Sequence, residues 1–203
     1  MPTGVIIAGG RSTRFGEADK AVAPLAGVPM IRRVADRLVP LVDAIVINGR
    51  PDQREAIEAA LADLSLPVSY APDETPDEGP MAGIGTGLRA VDTEYAVVVA
   101  CDMPFLDRGV VELLFERAAG HDAAVPKLDD GWYQTTQAVY RADAMADACE
   151  RAVARGDRKI LAPLEELDWV VISEAELESA GSLESFRNLN TQAEFERAET
   201  EFA

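Results

Sequence analysis

Cysteine and histidine are scarce in this chain, and each scarcity excludes something. Two cysteines in 203 residues, Cys101 and Cys149, are too few for a disulfide framework and lack metal-site spacing. A reducing cytoplasm is therefore the expected compartment. The single histidine, His121, excludes a multi-histidine metal centre. No apolar run approaches the roughly twenty residues of a membrane-spanning helix. The start has no basic stretch leading into an apolar one, so neither a span nor a secretory signal is expected. Basic residues are also short: 19 against 36 acids, a net charge of −17. Such a field repels DNA and anionic membranes, so neither is an expected partner. Spread acidity with few lysines reads as adaptation to a high-salt cytoplasm, or else as an acidic surface for a basic partner. Internal repeats and low-complexity linkers are absent too.

What is present suits one well-buried α/β domain, with 48% hydrophobic residues and no room for two comfortable domains. The chain is organised around its first twenty residues. Residues 4–8 are a short apolar, β-branched run, as expected of a strand buried on both faces. It breaks at Gly9-Gly10 into a loop carrying Arg11, Ser12, Thr13, Arg14, Gly16 and Lys20. A buried strand ending in a glycine-rich, basic loop suits phosphate. Glycine lets backbone N–H groups approach oxyanions, and the cations neutralise their charge. The loop fits neither the Walker pattern nor the dinucleotide fingerprint.

The chain beyond alternates strand and helix. Residues 24–29 are a turn-rich connection, and Pro29 is placed to begin a helix whose apolar stripe is Ile31, Val34, Ala35 and Leu38. Strands are expected at 44–48 and 67–71, with a helix over 51–61 between them. This β-α-β-α-β order predicts a parallel sheet with right-handed crossovers. The loop 72–83 mixes acids with proline and glycine, and a small-residue helix follows from about residue 81 to 90. Glu74, Asp77 and Glu78 read as solvated acids. The strongest strand, 95–100, runs directly into Cys101-Asp102-Met103-Pro104. An aspartate at the carboxyl end of a central parallel strand lies where open α/β sheets bind ligands, and one carboxylate with phosphate oxygens and water can hold Mg²⁺. The competing role for Asp102, a helix cap, suits Asp107 better. Cys101 reads as a packed small residue.

From residue 123 the rhythm changes. Runs 123–127 and 132–140 flank an Asp-Gly turn and predict an antiparallel hairpin at the sheet edge. Helices over 144–155 and 159–164, a strand at 170–173 and a terminal helix over 192–202 complete the chain. Asn188-Leu189-Asn190-Thr191 reads as a turn with a Thr N-cap.

The arrangement G-G-x-x-x-R-x-G-x-x-D-K after a strand resembles the opening of nucleotidyltransferases that carry NTP on a Rossmann-like sheet. With L-A-G-V-P-M, I-V-I-N-G-R, P-D-E-T-P-D-E-G-P-M-A-G-I, A-C-D-M-P-F-L and F-R-N-L-N-T, most of the chain is similar to the molybdenum cofactor guanylyltransferases. A-G-G, C-D-M-P and N-L-N-T favour the guanylyl branch over the molybdopterin cytidylyl one. Three positions depart from the family pattern: Phe15 for methionine, Gln134-Thr135-Thr136 where proline precedes threonine, and Gln192 where proline follows Asn-Thr.

The resemblance implies a three-layer Rossmann-like fold, mostly parallel with an antiparallel edge hairpin. It implies a single domain, with residues 1–106 serving NTP and Mg²⁺ and residues 107–203 serving the acceptor. The implied reaction moves GMP from GTP to the terminal phosphate of molybdopterin and releases pyrophosphate. Arg14, Lys20 and Asp102 are the expected catalytic residues. Ile7, Ala8, Gly9, Gly10, Lys20, Asn48, Asp73, Gly79 and Asp102 are expected at the nucleotide, with Asp102 on the metal. Asp73 would accept from N1–H and the 2-amino group of guanine, and Asn188 and Asn190 would line the acceptor side. Contact with other cofactor-biosynthesis proteins is a further implication. A cobinamide-phosphate guanylyltransferase, a molybdopterin cytidylyltransferase and a non-catalytic nucleotide-binding relative are the alternatives.

Overall fold

A computed structural model describes residues 2–10, 19–73 and 79–202. Arg11, Ser12, Thr13, Arg14, Phe15 and Gly16 of the basic loop, and Glu74, Asp77 and Glu78 of the acidic one, lie outside the described residues.

The apolar runs form strands β1 (Thr3–Ile7), β4 (Ala44–Gly49), β5 (Val68–Pro72), β6 (Tyr95–Ala100), β7 (Ala123–Lys127), β8 (Gln137–Arg141) and β9 (Trp169–Ser173), while β2 (Pro24–Leu25) and β3 (Val28–Pro29) make a minimal hairpin of their own. The helices are α1 (Met30–Leu38), α2 (Arg54–Leu61), α3 (Pro80–Arg89), α4 (Arg108–Ala118), α5 (Ala142–Ala154), α6 (Glu174–Ala180) and α7 (Gln192–Phe202). The large sheet runs β5-β4-β1-β6-β8-β7-β9. Pairings β5-β4, β4-β1, β1-β6 and β7-β9 are parallel, whereas β8 is antiparallel to both neighbours.

Period-two alternation divides the core. Ile6, Ile45, Ile47, Val97 and Val99 face α1, α2, α4 and α6, while Val5, Val46, Ala96 and Val98 face α3 and α5. Both sheet faces are thus covered, which explains why these strands read as continuous apolar runs. A third cluster ties α7 to the small hairpin through Leu25, Met30, Leu189, Phe195 and Ala198. Phe105, just after the β6 loop, stacks on Phe202 of α7 with centroids 5.0 Å apart, and Arg187 and Arg33 cover the outer faces of that ring pair.

The α/β class and the mostly parallel sheet are as the sequence predicts. Local caps are too: Asp107 accepts from the Val110 N–H at 3.2 Å and heads α4. The differences are instructive. The β7-β8 hairpin lies one strand inside the edge, because the chain returns after α5 and lays β9 beside β7. Its second strand is shorter than the run 132–140, with only a Lys127–Tyr133 bridge near the turn. Residues 24–29 form a two-residue ladder, so Pro29 pairs with Pro24 and precedes the helix. The helix expected over 51–61 begins as a 3-10 turn, Pro51–Gln53, and the one at 159–164 is a 3-10 turn over Ala162–Glu166. Helix α6, opened by a Ser173/Glu176 capping box, is an additional element.

Candidate active site

The carboxyl ends of β1, β4, β5 and β6 lie in register: Ile7 pairs with Asn48 and Ala100, and Asn48 with Ala71. The chain steps outward from β1 to β4 and β5, then crosses to place β6 on the other flank of β1. The β1/β6 boundary is therefore the topological switch point, the place where open α/β sheets take ligands. Gly9 and Gly10 follow one of these strands and Asp102 the other.

The Lys20 ammonium donates to Asp102 Oδ2 at 2.6 Å and to Asn190 Oδ1 at 3.1 Å. Lys20 is held there by a 3-10 turn, Lys20–Val22, that Asp19 caps by accepting from the Ala21 N–H at 3.0 Å. The Leu189 N–H donates to the Asp102 carbonyl at 3.0 Å, which draws the 188–191 segment against the β6 loop. The capping reading of that segment is the one seen. Thr191 Oγ1 accepts from the Glu194 N–H, and Glu194 Oε2 accepts from the N–H groups of Asn190 and Thr191. This capping box holds Glu194 below the usual carboxylate range, the Asn190 N–H being the largest cause.

The second cluster surrounds Asn48, which is fully buried. Its Nδ2 donates to the Ala71 carbonyl at 3.1 Å and to Asp73 Oδ1 at 2.8 Å. The other Asp73 oxygen lies where a side chain on residue 9 would project, so glycine at that position leaves room for the Asp73 carboxylate as placed. Gly83 likewise leaves room for α3 to lie against Asn48, since a Cβ there would stand 2.5 Å from Asn48 Oδ1. Gly79, with φ of +87°, caps α3 and is exposed. The Ile7 carbonyl accepts from the Cys101 N–H at 3.0 Å and the Ala8 N–H donates to the Asn48 carbonyl at 2.8 Å, which ties three strand ends together.

Buried polar groups ordinarily find partners, and one that does not calls for an explanation. Among the described residues six buried side-chain atoms have no partner, and three of these are Asn48 Oδ1, Asp102 Oδ1 and Asn188 Oδ1. Cys101 is buried beside Asp102, and burial first, the Asp102 charge second, push its thiol up. Among the described residues there is no group of three or more His, Cys, Asp and Glu set to hold a metal. No helix among them is long and apolar enough to cross a membrane.

Sequence reasoning missed the connection between the clusters. Gln53, almost wholly buried, donates to the Ala8 carbonyl at 3.0 Å and to Asp19 Oδ2 at 2.6 Å. Arg50 reaches the carbonyls of Gly9 and Gly10 and the same Asp19 oxygen. Only the polar strand end Asn48-Gly49-Arg50 hinted at this.

A family model described as the MobA-like NTP transferase domain matches residues 4–175. The chain belongs to that family. A relative from Natronomonas pharaonis, named a probable molybdenum cofactor guanylyltransferase, is 52% identical over 97% of this chain and 96% of its own length. One of the same name from Haloferax mediterranei is 39% identical over 93% and 88%. The crystal structure of molybdopterin-guanine dinucleotide biosynthesis protein A from Archaeoglobus fulgidus superposes with a TM-score of 0.80 at 32% identity, covering 98% of each chain.

Proposed function

We propose that this nucleotidyltransferase moves GMP from GTP to the terminal phosphate of molybdopterin, giving the guanine dinucleotide form of the cofactor and pyrophosphate. One observation carries the reading: at the carboxyl end of a central strand, Asp102 offers one oxygen to the Lys20 ammonium and keeps the other buried and unpaired. That oxygen fits a hard divalent cation, which takes carboxylate oxygens and completes its shell with phosphate and water. Asp102 is the residue that would hold Mg²⁺, and Mg²⁺ bound there would neutralise charge on the phosphates undergoing transfer.

The remaining work falls to side chains and backbone. Ile7, Ala8, Gly9 and Gly10 would border the triphosphate, and Lys20 would neutralise its oxygens. Arg14 would assist from the loop outside the described residues. Asn48, which holds Asp73 through its amide nitrogen, and Asp73 would orient the nucleoside, Asp73 accepting from N1–H and the 2-amino group of guanine. Gly79 would let the start of α3 lie close to the nucleotide. Asn188 and Asn190 would line the acceptor side, and Asn190 reaches Lys20 from the half of the chain assigned to the acceptor. In this reading residues 1–106 serve the nucleotide and metal and residues 107–203 the acceptor, within one domain. A phosphate nucleophile is already ionised at neutral pH, so positioning and charge neutralisation carry the step without a general base. Pyrophosphate release on mixing protein, GTP, Mg²⁺ and molybdopterin tests the reading. Release that needs both GTP and acceptor is expected, and no release from folded protein would overturn it.

A further inference from the structure

A partly buried polar network joins the end of β1 to the turn that carries Lys20. Asp19 divides its carboxylate between two tasks. Oδ1 accepts from the Ala21 N–H and so caps the turn that presents Lys20. Oδ2 accepts from Gln53 Nε2 at 2.6 Å and from the Arg50 guanidinium at 3.2 Å. The same two side chains hold the end of β1: Gln53 through the Ala8 carbonyl, Arg50 through the carbonyls of Gly9 and Gly10 at 3.4 and 3.1 Å.

The network is itself fixed. Gln53 Oε1 accepts from the Arg50 N–H at 2.9 Å, and the Tyr70 hydroxyl donates to the Arg50 carbonyl at 2.7 Å. Burial, and next the Asp73 charge, push that hydroxyl up to about 12, so it stays a donor at any ordinary pH. Both amide atoms of Gln53 are satisfied and only 3% of the residue is exposed, so it has nothing left to offer a ligand. The Arg50 guanidinium is spread over Gly9, Gly10, Asp19 and Asp52. A rigid planar fork can bridge several oxygens in this way, and a lysine cannot.

We infer that Arg50 and Gln53 are positioning residues that fix Lys20 relative to Gly9 and Gly10 through Asp19. This rests on the placement of Lys20 at the triphosphate. Arg50 also offsets the charge of Asp19, the residue next to Lys20. Misplacing a group by about 1 Å can cost up to roughly a hundredfold in function, so a clamp remote from the ligand has a large lever.

The test is a double-mutant cycle read by calorimetric GTP binding in Mg²⁺, with thermal melting to confirm folding. Arg50→Met and, independently, Gln53→Met each weaken GTP binding about tenfold, and Arg50→Lys falls between Arg50→Met and wild type. In a Lys20→Met background the same changes cost less than about twofold, because the group they position is gone. Wild-type affinity in folded Arg50→Met and Gln53→Met would overturn the inference. So would losses that multiply fully with that of Lys20→Met, which would place Arg50 on the ligand itself. These outcomes leave the proposed reaction standing. Absence of GTP binding by wild type would overturn both.

Discussion

Two ion pairs of equal length show how differently the chain treats charge. Lys20 and Asp102 meet at 2.6 Å with side chains 8% and 17% exposed, whereas Arg89 of α3 meets Asp147 of α5 at 2.6 Å with both about half exposed. The Arg89 pair sits in water, where Coulomb attraction is screened and side-chain ordering offsets most of it. The Lys20 pair has given up much of its hydration, leaves Asp102 Oδ1 unpaired, and borrows Asn190 from a segment 170 residues away. A buried pair is weak evidence for stability. Its location at the switch point of the sheet makes it evidence for a site.

Breaking the buried pair is expected to give the largest effects. Asp102→Ala should fold, by circular dichroism, and lose at least about a hundredfold in Mg²⁺-dependent turnover; retained turnover would remove Asp102 from the metal. Lys20→Ala should weaken GTP binding by roughly ten- to a hundredfold in calorimetry, since a charged contact to phosphate is lost. Unchanged affinity would take Lys20 off the triphosphate.

Intermediate effects are expected beside the pair. Gly83→Ala drives a methyl group at Asn48 Oδ1, and should cost roughly 1–3 kcal/mol in denaturant unfolding while weakening nucleotide binding. Wild-type values for both would show that α3 can move off the sheet freely.

The exposed pairs mark the small end. Arg89→Ala should change stability by no more than about 0.5 kcal/mol and leave GTP binding alone. Glu176 is held down at about 2, first by the Ser173 hydroxyl, then by the Ser173 N–H and Arg117. Its folded value lies below the free one of 4.5, so its contribution is complete above that pH and fades as pH falls towards about 2. Glu176→Gln should therefore flatten the loss of melting temperature over that window. An identical acid profile in the two proteins would refute the assignment.

Much of this contrast was legible in the sequence where its cause is local. The β-branched runs gave the parallel strands, Asp107 and Thr191 their caps, and the strand ends Ile7-Ala8-Gly9, Asn48 and Asp102 their places. What stayed hidden depends on contacts far apart in the chain. Nothing near Gln53 announces that it will reach the Ala8 carbonyl 45 residues away, or that Asp19 will be gripped by Arg50 across 31. The hairpin was legible from Asp130-Gly131, but its place one strand in from the edge was set by β9, which pairs with β7 only after α5 has returned. Asp73 was visible as an acid leading into a glycine-rich helix. Its dependence on Asn48 and Gly9 was not.

The central claim is a site that binds GTP through Lys20, Asp73 and Asp102. Its most direct test is calorimetric binding of GTP, CTP and ATP by the wild-type protein in Mg²⁺ and molar KCl. Selective binding of GTP is the result the account requires. Preference for CTP would contradict the role given to Asp73, and a folded protein that binds no nucleotide would contradict the site as a whole.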